Sequence, residues 1–327
     1  MAKKKKLTVR EIVRRTTKTD EYLEPQPIQF GETFFKVLKA GRSFHGGDLA
    51  WSLPVEKDGR WKPGNWHEVK GGLMCCNGTL HVTIEPARWY AEGATVYVAE
   101  CKGKIGEIAD KQGFRRVRLL RPLTAEEYGK VSIYLADESV EVRRFAYVGG
   151  RSKARVHGNA PVTAVGDATV TVDGCSQVHA HGNSKVTAYD HAIVAAYGNA
   201  HVYAWDRVAV NCCEKSSVEA RGSATVRAYG ESTVEAYDDS KATAYSISRV
   251  TARDNSRVTA LDSSTVDAGG SSRVDVFDDV AVTARGSSTV NLIRGNPILE
   301  LLSSSAVVID RRTAPPTIKT GWGGEKR

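Results

Sequence analysis

Val162-Thr-Ala-Val-Gly-Asp-Ala-Thr is followed directly by Val170-Thr-Val-Asp-Gly-Cys-Ser-Gln, and the eight-residue pattern continues without a gap to the octad that begins at Val290. Every octad in this run begins with valine, except for one that begins with alanine. Extended back to Ala146, the register comprises nineteen octads. A unit this short cannot bury its own apolar face, so it must stack on its neighbours. The repeat therefore predicts a β-solenoid over residues 146–305.

The eight positions of the octad carry different kinds of residue. Valine occupies position one, alanine usually occupies position three, alanine or serine occupies position seven, and the even positions are mostly polar or aromatic. A period of two is typical of a strand with one buried face, and the branched Cβ of valine favours extended backbone. Position five is nearly always Gly or Asp, which tolerate left-handed or bent backbone. Each octad is thus predicted to be a short strand followed by a corner.

One octad is too short to close a coil. Two octads per coil would give a flattened tube with two faces, whereas three would give a triangular one. The small core residues favour two, because a thin tube suits valine facing alanine. At about 4.8 Å per strand, the repeat would then form a rod roughly 45 Å long. We also expect caps at both ends, since exposed strand edges recruit other strands.

The rest of the chain divides into four shorter segments. We interpret residues 1–28 as a basic arm, 29–122 as a small α+β domain, 123–145 as a connector that caps the first coil, and 306–327 as a C-terminal cap with a basic tail. Alternating apolar residues between Gly- and Asn-rich turns indicate strands in the α+β domain, and Pro86 marks the start of a short helix. The expected fold class is mainly β.

The basic residues are concentrated at the two ends of the chain. The net charge is +8, of which residues 1–18 carry +7 and residues 310–327 carry +3, so the body is close to neutral. A basic arm can bind nucleic acid through phosphate contacts, and the alternative is a solvated terminus. The candidate arm residues are Lys3, Lys4, Lys5, Lys6, Arg10, Arg14 and Arg15.

Several other classes of protein are disfavoured by the sequence. The longest apolar runs are too short to span a membrane, and no signal-peptide pattern is present, so we expect a protein of the host cytoplasm or of a virion. The six cysteines do not have metal-ligand spacing. There is no phosphate-binding glycine loop and no serine elbow. The sequence therefore predicts neither a metal nor a cofactor.

The segment before the repeat resembles the front domain of uncharacterised phage and prophage proteins that continue into short solenoid repeats. In that family a Lys-rich strand precedes a Cys-x-x-Gly-x-His segment, a proline, and a Tyr-x-x-Glu-like phrase before a glycine. The corresponding stretches are Phe35-Lys-Val-Leu-Lys, Cys76-Asn-Gly-Thr-Leu-His81, Pro86, Tyr97-Val-Ala-Glu100 and Gly103. The family has no known function, so the resemblance implies a phage or phage-derived setting and no reaction.

One catalytic hypothesis concerns the same segment. ADP-ribosyl-transferring folds use an early histidine or arginine, a middle Ser/Thr strand and a late glutamate, and the chain offers His45, His81 and Glu100 in that order. A histidine could hold the nicotinamide ribose while the glutamate orients a ribose hydroxyl. The alternative is that His81 is an ordinary strand residue and Glu100 faces solvent.

Position-four residues sixteen apart should stack into rows if two octads form one coil. The candidate binding residues in these rows are Tyr189, Tyr197, Trp205, Tyr229, Tyr237 and Tyr245. Exposed rings are suitable platforms for sugars, bases or a partner protein, because they combine apolar area with a polar group. The alternative is that ladder stacking of the rings only stabilises the rod.

The sequence is most typical of a non-catalytic structural or binding β-solenoid protein, associated with a phage as a virion or assembly component or an adhesin-like rod. We expect a protein partner or self-association, with carbohydrate as a further candidate ligand. The two alternatives are an ADP-ribosyltransferase-like effector with a solenoid stalk and a nucleic-acid-associated protein that uses its basic tails.

Overall fold

The computed structural model describes residues 22–29, 31–45, 49–70 and 79–312, and the backbone of residues 317–320. The chain divides into two compact units, Met1–Ile133 and Tyr134–Arg327. The basic arm residues and Cys76 lie outside the described residues, so the predictions made for them stay predictions.

The first unit is built almost entirely from strands. Its elements are β1 (Phe34–Lys39), β2 (Val55–Lys57), β3 (Arg60–Lys62), β4 (His67–Glu68), β5 (Leu80–Thr83), a 3₁₀ helix (Pro86–Trp89), β6 (Ala94–Ile108), β7 (Lys111–Pro122) and the helix α1 (Ala125–Lys130). The sheet order is β4-β7-β5-β1-β6, and β6 also pairs with β7. This additional pairing closes β1, β6, β7 and β5 into a small antiparallel barrel.

Local sequence signals explain both short helices of this unit. The 3₁₀ helix starts at the predicted proline, whose fixed φ suits a first helical position. At the start of α1, the Glu127 carboxylate accepts a hydrogen bond from the Thr124 backbone N–H at 3.0 Å. The same carboxylate accepts two bonds from the Arg121 guanidinium, at 2.6 and 2.7 Å. Helix α1 is therefore anchored to the end of β7 by a buried ion pair.

The second unit is a solenoid of two parallel sheets, in agreement with the prediction. The front sheet contains β8 (Ile133–Tyr134), β10 (Ala146–Val148), β12 (Val162–Ala164), β14 (Gln177–Ala180), β16 (Ile193–Ala196), β18 (Ala209–Cys212), β20 (Thr225–Ala228), β22 (Lys241–Ala244), β24 (Arg257–Ala260), β26 (Arg273–Val276), β28 (Thr289–Leu292) and β30 (Val307–Asp310). The back sheet contains β9 (Ser139–Val142), β11 (Lys153–Val156), β13 (Thr169–Val172), β15 (Lys185–Ala188), β17 (His201–Ala204), β19 (Ser217–Ala220), β21 (Thr233–Ala236), β23 (Arg249–Ala252), β25 (Thr265–Ala268), β27 (Ala281–Ala284), β29 (Ile298–Leu301) and β31 (Thr317–Thr320).

The strand register confirms two octads per coil. Val178 pairs with Val194 in the front sheet, and Val186 pairs with Val202 in the back sheet, so each step along a sheet is sixteen residues. With twelve strands per sheet and a spacing of about 4.8 Å, the solenoid is roughly 53 Å long. It exceeds the expected length because strands also form within residues 123–145 and 306–327, for which the sequence predicted a connector and a cap.

The interior of the solenoid is packed with small side chains, as the sequence predicts. The valines of position one and the alanines of position three are buried, with exposures of 3% or less from Val162 to Val290. Position seven is buried as well, so each octad contributes three small side chains to the core. Cys212 replaces an alanine at position three, as expected, and burial raises the pKa of its thiol to about 11.

Serine at position seven has two different environments. The Ser176 hydroxyl lies 3.1 Å from each of two backbone carbonyl oxygens, those of Gly158 and Asp173. Within the described residues, seven other buried serine hydroxyls at this position have no hydrogen-bond partner: Ser184, Ser240, Ser248, Ser256, Ser264, Ser272 and Ser288. Position seven therefore selects for small size, which explains why both alanine and serine occur there.

Every corner from Gly166 to Gly286 has left-handed backbone at position five, with φ between 51° and 69°. This confirms the interpretation of the Gly and Asp pattern. The sequence did not predict that Glu214 and Ser246, at the same position, adopt it too, with φ of 59° and 58°. Both are held there by corners on either side that repeat the same turn, so the neighbouring coils override the residue's own preference.

Carboxylates at position five also link successive coils. The Asp238 carboxylate accepts a hydrogen bond from the backbone N–H of Gly222, sixteen residues earlier, at 2.9 Å. The Asp254 carboxylate accepts one from the Asp238 N–H at 3.3 Å, and the Glu214 carboxylate accepts one from Gly198 at 2.8 Å. Aspartate is thus favoured over alanine at a corner because it tolerates left-handed backbone and satisfies an N–H of the previous coil.

Substitutions at Asp238 should separate the contribution of its left-handed backbone from that of its hydrogen bond to the previous coil. We expect Asp238→Gly to change the free energy of unfolding by less than about 1 kcal/mol, because glycine adopts the backbone freely. Asp238→Ala should cost about 1 kcal/mol and Asp238→Val more, since left-handed backbone is strained for both. Denaturant unfolding followed by circular dichroism measures the series. The matched control is the exposed neighbour Asp239→Ala, and an equal loss at both sites would contradict the account.

Candidate functional site

A cleft of about 140 Å³ opens in the first unit beside β1 and β5. Aromatic and aliphatic side chains make most of its wall, including Trp51 and Trp89. Four titratable side chains line it: Lys36, His45, His81 and Lys111. No aspartate or glutamate is among the described residues that line the cleft, so its polar groups are neutral or positive.

Lys36 projects from β1 into a half-buried position. Its Nζ donates a hydrogen bond to the His81 carbonyl oxygen at 2.9 Å and lies 5.0 Å from the centre of the Trp51 ring. Within the described residues, no carboxylate forms an ion pair with it. Burial and the positive charge of Lys111 lower its pKa to about 8. About a tenth of this amine is therefore neutral at pH 7, far more than for an ordinary lysine.

Lys111 approaches the cleft from the start of β7. The preceding turn contains Ala109, whose φ of 53° lets the chain reverse tightly between β6 and β7. The Lys111 Nζ lies 3.7 Å from the centre of the Trp89 ring, a cation–π contact that leaves the ammonium without a carboxylate partner among the described residues. Lys111 is thus a fixed positive charge at the wall of the cleft.

The carboxylate nearest in sequence to this lysine has other partners. Asp110 Oδ2 accepts a hydrogen bond from the Thr83 hydroxyl at 2.8 Å and another from the Trp89 indole N–H at 2.5 Å. These bonds hold the Trp89 ring in the orientation on which Lys111 rests. Asp110 is therefore a positioning residue for the aromatic wall.

The two histidines suggested by the sequence both line the cleft. His81 Nε2 lies 3.0 Å from the Thr79 hydroxyl oxygen, and burial, followed by the charges of Lys36 and Lys111, lowers the pKa of its imidazole. His45 Nε2 lies 2.9 Å from the Trp89 carbonyl oxygen. His81 is accordingly a neutral donor or acceptor at neutral pH.

Glu100, the third residue of the transferase hypothesis, is elsewhere. It lies on β6, where its Oε2 accepts a hydrogen bond from the Arg118 guanidinium at 2.7 Å, and its other oxygen lies 3.4 Å from the Lys102 ammonium. It is not among the described residues that line the cleft. The structure thus brings the two histidines together and leaves the glutamate in a separate ion-pair cluster.

The two lysines were not singled out by the sequence analysis. Lys36 lies between Phe35 and Val37 in an alternating strand, a pattern that ordinarily places a lysine in solvent. Its burial depends on Trp51, which comes fifteen residues later, and Lys111 is brought near by the pairing of β5 with β7. The sequence contained no local signal for either contact.

The predicted rows on the solenoid are present. The rings of Tyr229 and Tyr245 stack with centroids 4.9 Å apart and planes 4° from parallel, and His181 stacks on Tyr197 in the same way at 4.9 Å. In the other row, the Arg221 guanidinium lies 5.4 Å from the Trp205 ring and 4.5 Å from the Tyr237 ring. Tyr189 and Trp205 are the most exposed of the six candidates, at 38% and 37%.

The row geometry explains the regular ring spacing. One coil rises by about 4.8 Å, which lies within the range of about 4.5–7 Å between the centroids of offset-stacked rings, so rings sixteen residues apart can stack. This arrangement stabilises the corners whether or not a ligand binds. The rows accordingly provide a regular aromatic surface along the solenoid.

Two structural surveys bear on the remaining predictions. Over the described part of the chain, no three His, Cys, Asp or Glu side chains are grouped as ligands of a metal ion would be. Across the same residues, no helix has both the length and the apolar character needed to cross a bilayer.

The titration of Lys36 should be visible in the stability of the first unit. Its pKa is lowered on folding, so the unfolded chain binds the proton more tightly between about pH 8 and the ordinary lysine value of 10.5, and stability rises with pH across that window. We therefore expect Lys36→Met to stabilise the protein at pH 7 and to lose about 3 kcal/mol of that advantage by pH 10.5. Denaturation followed by tryptophan fluorescence measures it. Lys39→Met, at an exposed position of the same strand, is the control, and a pH-independent effect of Lys36→Met would argue against the buried amine.

Similarity to known proteins does not identify the chain. No family model, no curated protein and no solved structure matches it. The β-solenoid itself is shown by the structure. The resemblance to phage proteins receives no support from the comparisons, and Cys76 of its motif lies outside the described residues.

Proposed function

We propose that the protein is a ligand-binding β-solenoid protein, in which the cleft of the first unit binds a small organic anion. The observation that carries the proposal is the pair Lys36 and Lys111, two amines that line one cleft without a carboxylate partner among the described residues. A partly buried cation is costly unless an opposite charge meets it. An anionic ligand would supply that charge.

The walls of the cleft specify the ligand further. Trp51 and Trp89 offer apolar and aromatic surface on which a planar or aliphatic body would pack. The volume of about 140 Å³ is well below the range of about 300 Å³ and upward that is usual for drug-sized ligands. We therefore infer a carboxylate or phosphate attached to a few carbon atoms, with the anionic group directed toward Lys111.

The solenoid in this proposal is a rigid support. Its parallel ladder and repeated corners leave little freedom within a coil, and its aromatic rows add a surface for association with a protein or a carbohydrate. Self-association, a phage or virion setting, a cytoplasmic location and nucleic-acid binding through the basic arms stay predictions from the sequence. ADP-ribosyl transfer is the less favoured alternative, because Glu100 is engaged with Arg118 away from the cleft.

Binding of small anions should depend on Lys111. We expect phosphate and pyruvate, each titrated separately, to change the tryptophan fluorescence of the protein, because Trp51 and Trp89 line the cleft. Lys111→Ala should weaken the binding of whichever anion is bound about tenfold or more, the loss of one charge-assisted hydrogen bond. The matched control is Lys102→Ala, since Lys102 also rests on a tryptophan, 4.8 Å from the Trp66 ring, but outside the cleft. No response to any anion, or equal losses in both variants, would exclude the proposal.

A further inference from the structure

We propose that Lys36 is a nucleophile that forms an imine with a small 2-oxo acid bound in the cleft. The inference rests on the proposed function, because it takes the anionic ligand to be one whose carboxylate pairs with Lys111. It goes further in assigning a covalent role to one amine and a carbonyl group to the ligand. In a 2-oxo acid the carbonyl carbon is bonded directly to the carboxylate. The two amines of this small cleft could therefore meet both groups at once, Lys36 the carbonyl carbon and Lys111 the carboxylate.

The first support is the environment of the Lys36 amine. An amine attacks a carbonyl only when it is neutral, and enzymes obtain neutral lysines by burial in apolar surroundings or by placing a second cation nearby. Both conditions hold at Lys36, which is half-buried with its amine 5.0 Å from the centre of the Trp51 ring, and which is close enough to Lys111 for that charge to lower its pKa. At pH 7.5, a pKa of about 8 leaves on the order of a hundredfold more neutral amine than an ordinary lysine has.

The second support is the orientation of the amine. The hydrogen bond to the His81 carbonyl oxygen uses one N–H of Lys36, and this acceptor cannot donate a proton to the nitrogen. When the amine is neutral, its lone pair is therefore left for an electrophile. The remaining polar lining of the cleft includes no carboxylate among the described residues, so no ion pair competes to keep the amine charged.

The titratable groups that face Lys36 come from several elements. Lys111 on β7 and His81 on β5 line the same cleft, as does His45 in the loop after β1. On β6, Tyr97 is the register partner of Lys36, and burial raises the pKa of its phenol. All of these are positive or neutral near pH 7.5, and the acidic Asp110 is occupied by Thr83 and Trp89.

The chemical step is a condensation. The neutral Lys36 nitrogen forms a bond to the carbonyl carbon, and the carbonyl oxygen takes up a proton to give a carbinolamine. The nitrogen gives up its two protons in the course of the reaction, and the oxygen leaves as water, so that a C=N double bond replaces C=O. No oxidant or reductant is needed, and hydrolysis reverses the step.

Reductive trapping tests the inference on the full-length protein. Pyruvate is the probe and cyanoborohydride supplies the hydride that reduces the imine to a stable secondary amine, which intact mass and peptide mapping locate. We expect one adduct per chain at pH 7.5, on Lys36, with labelling about tenfold or more above that of any other lysine, and with a half-maximum near pH 8. Lys36→Arg should abolish the adduct, whereas Lys39→Arg on the same strand should leave it unchanged.

A second variant keeps the test informative if Lys36→Arg does not fold. Lys111→Gln retains the Lys36 amine but removes the positive charge beside it, which is also the charge that would pair with the carboxylate of pyruvate. Labelling of Lys36 at pH 7.5 should therefore fall, and the pH of half-maximal labelling should rise. Labelling spread evenly over exposed lysines would overturn the inference. Pyruvate that quenches tryptophan fluorescence without forming an adduct would overturn it too, while leaving anion binding intact; failure of every anion to bind would remove the proposed function itself.

Discussion

The solenoid depends on one backbone constraint, a residue with left-handed φ at every eighth position. A strand of about four residues can pack its valine and alanine inward only if the chain then turns sharply enough to begin the opposite sheet. Left-handed backbone makes that turn, and it costs little for glycine and modestly for aspartate. The aspartates recover part of this cost through hydrogen bonds to the preceding coil, as Asp238 does with Gly222. The corner therefore serves both as a turn and as a link between coils.

The core that these corners enclose gains little free energy per residue, because alanine and serine bury little apolar area. Stability comes instead from the inter-coil ladder, in which each octad is bonded to those sixteen residues before and after it. This explains why the solenoid tolerates buried serine hydroxyls without partners, such as that of Ser256, provided the side chain is small. It also explains why we place the proposed ligand site in the first unit. There, large aromatic side chains and strands of the closed barrel line a cleft that partly buries a charged group, Lys36.

The periodicity of the sequence made the solenoid predictable, but it carried no information about the cleft of the first unit. The octad predicted the strands, the left-handed corners, two octads per coil and the stacked rows, because each follows from spacing alone. The extent of the ladder was less predictable. Ile298 pairs with Ala281 at a separation of seventeen residues and Val307 pairs with Thr289 at eighteen, so the coil continues after the repeat is lost. In the first unit, the sequence indicated His45 and His81, which do line the cleft. It missed Lys36 and Lys111, since their proximity arises from barrel closure between strands far apart in the chain.

The central claim is that the chain rises by one strand spacing for every sixteen residues. Pulsed electron–electron double resonance between spin labels at Gln177 and Arg273 tests it most directly. Both residues are exposed on the front sheet, and they are six coil steps apart. The account predicts a narrow distance distribution centred at about 29 Å between the backbones, six times the strand spacing. A coil of three octads would bring the labels to about 19 Å, and that distance, or a broad distribution, would contradict the account.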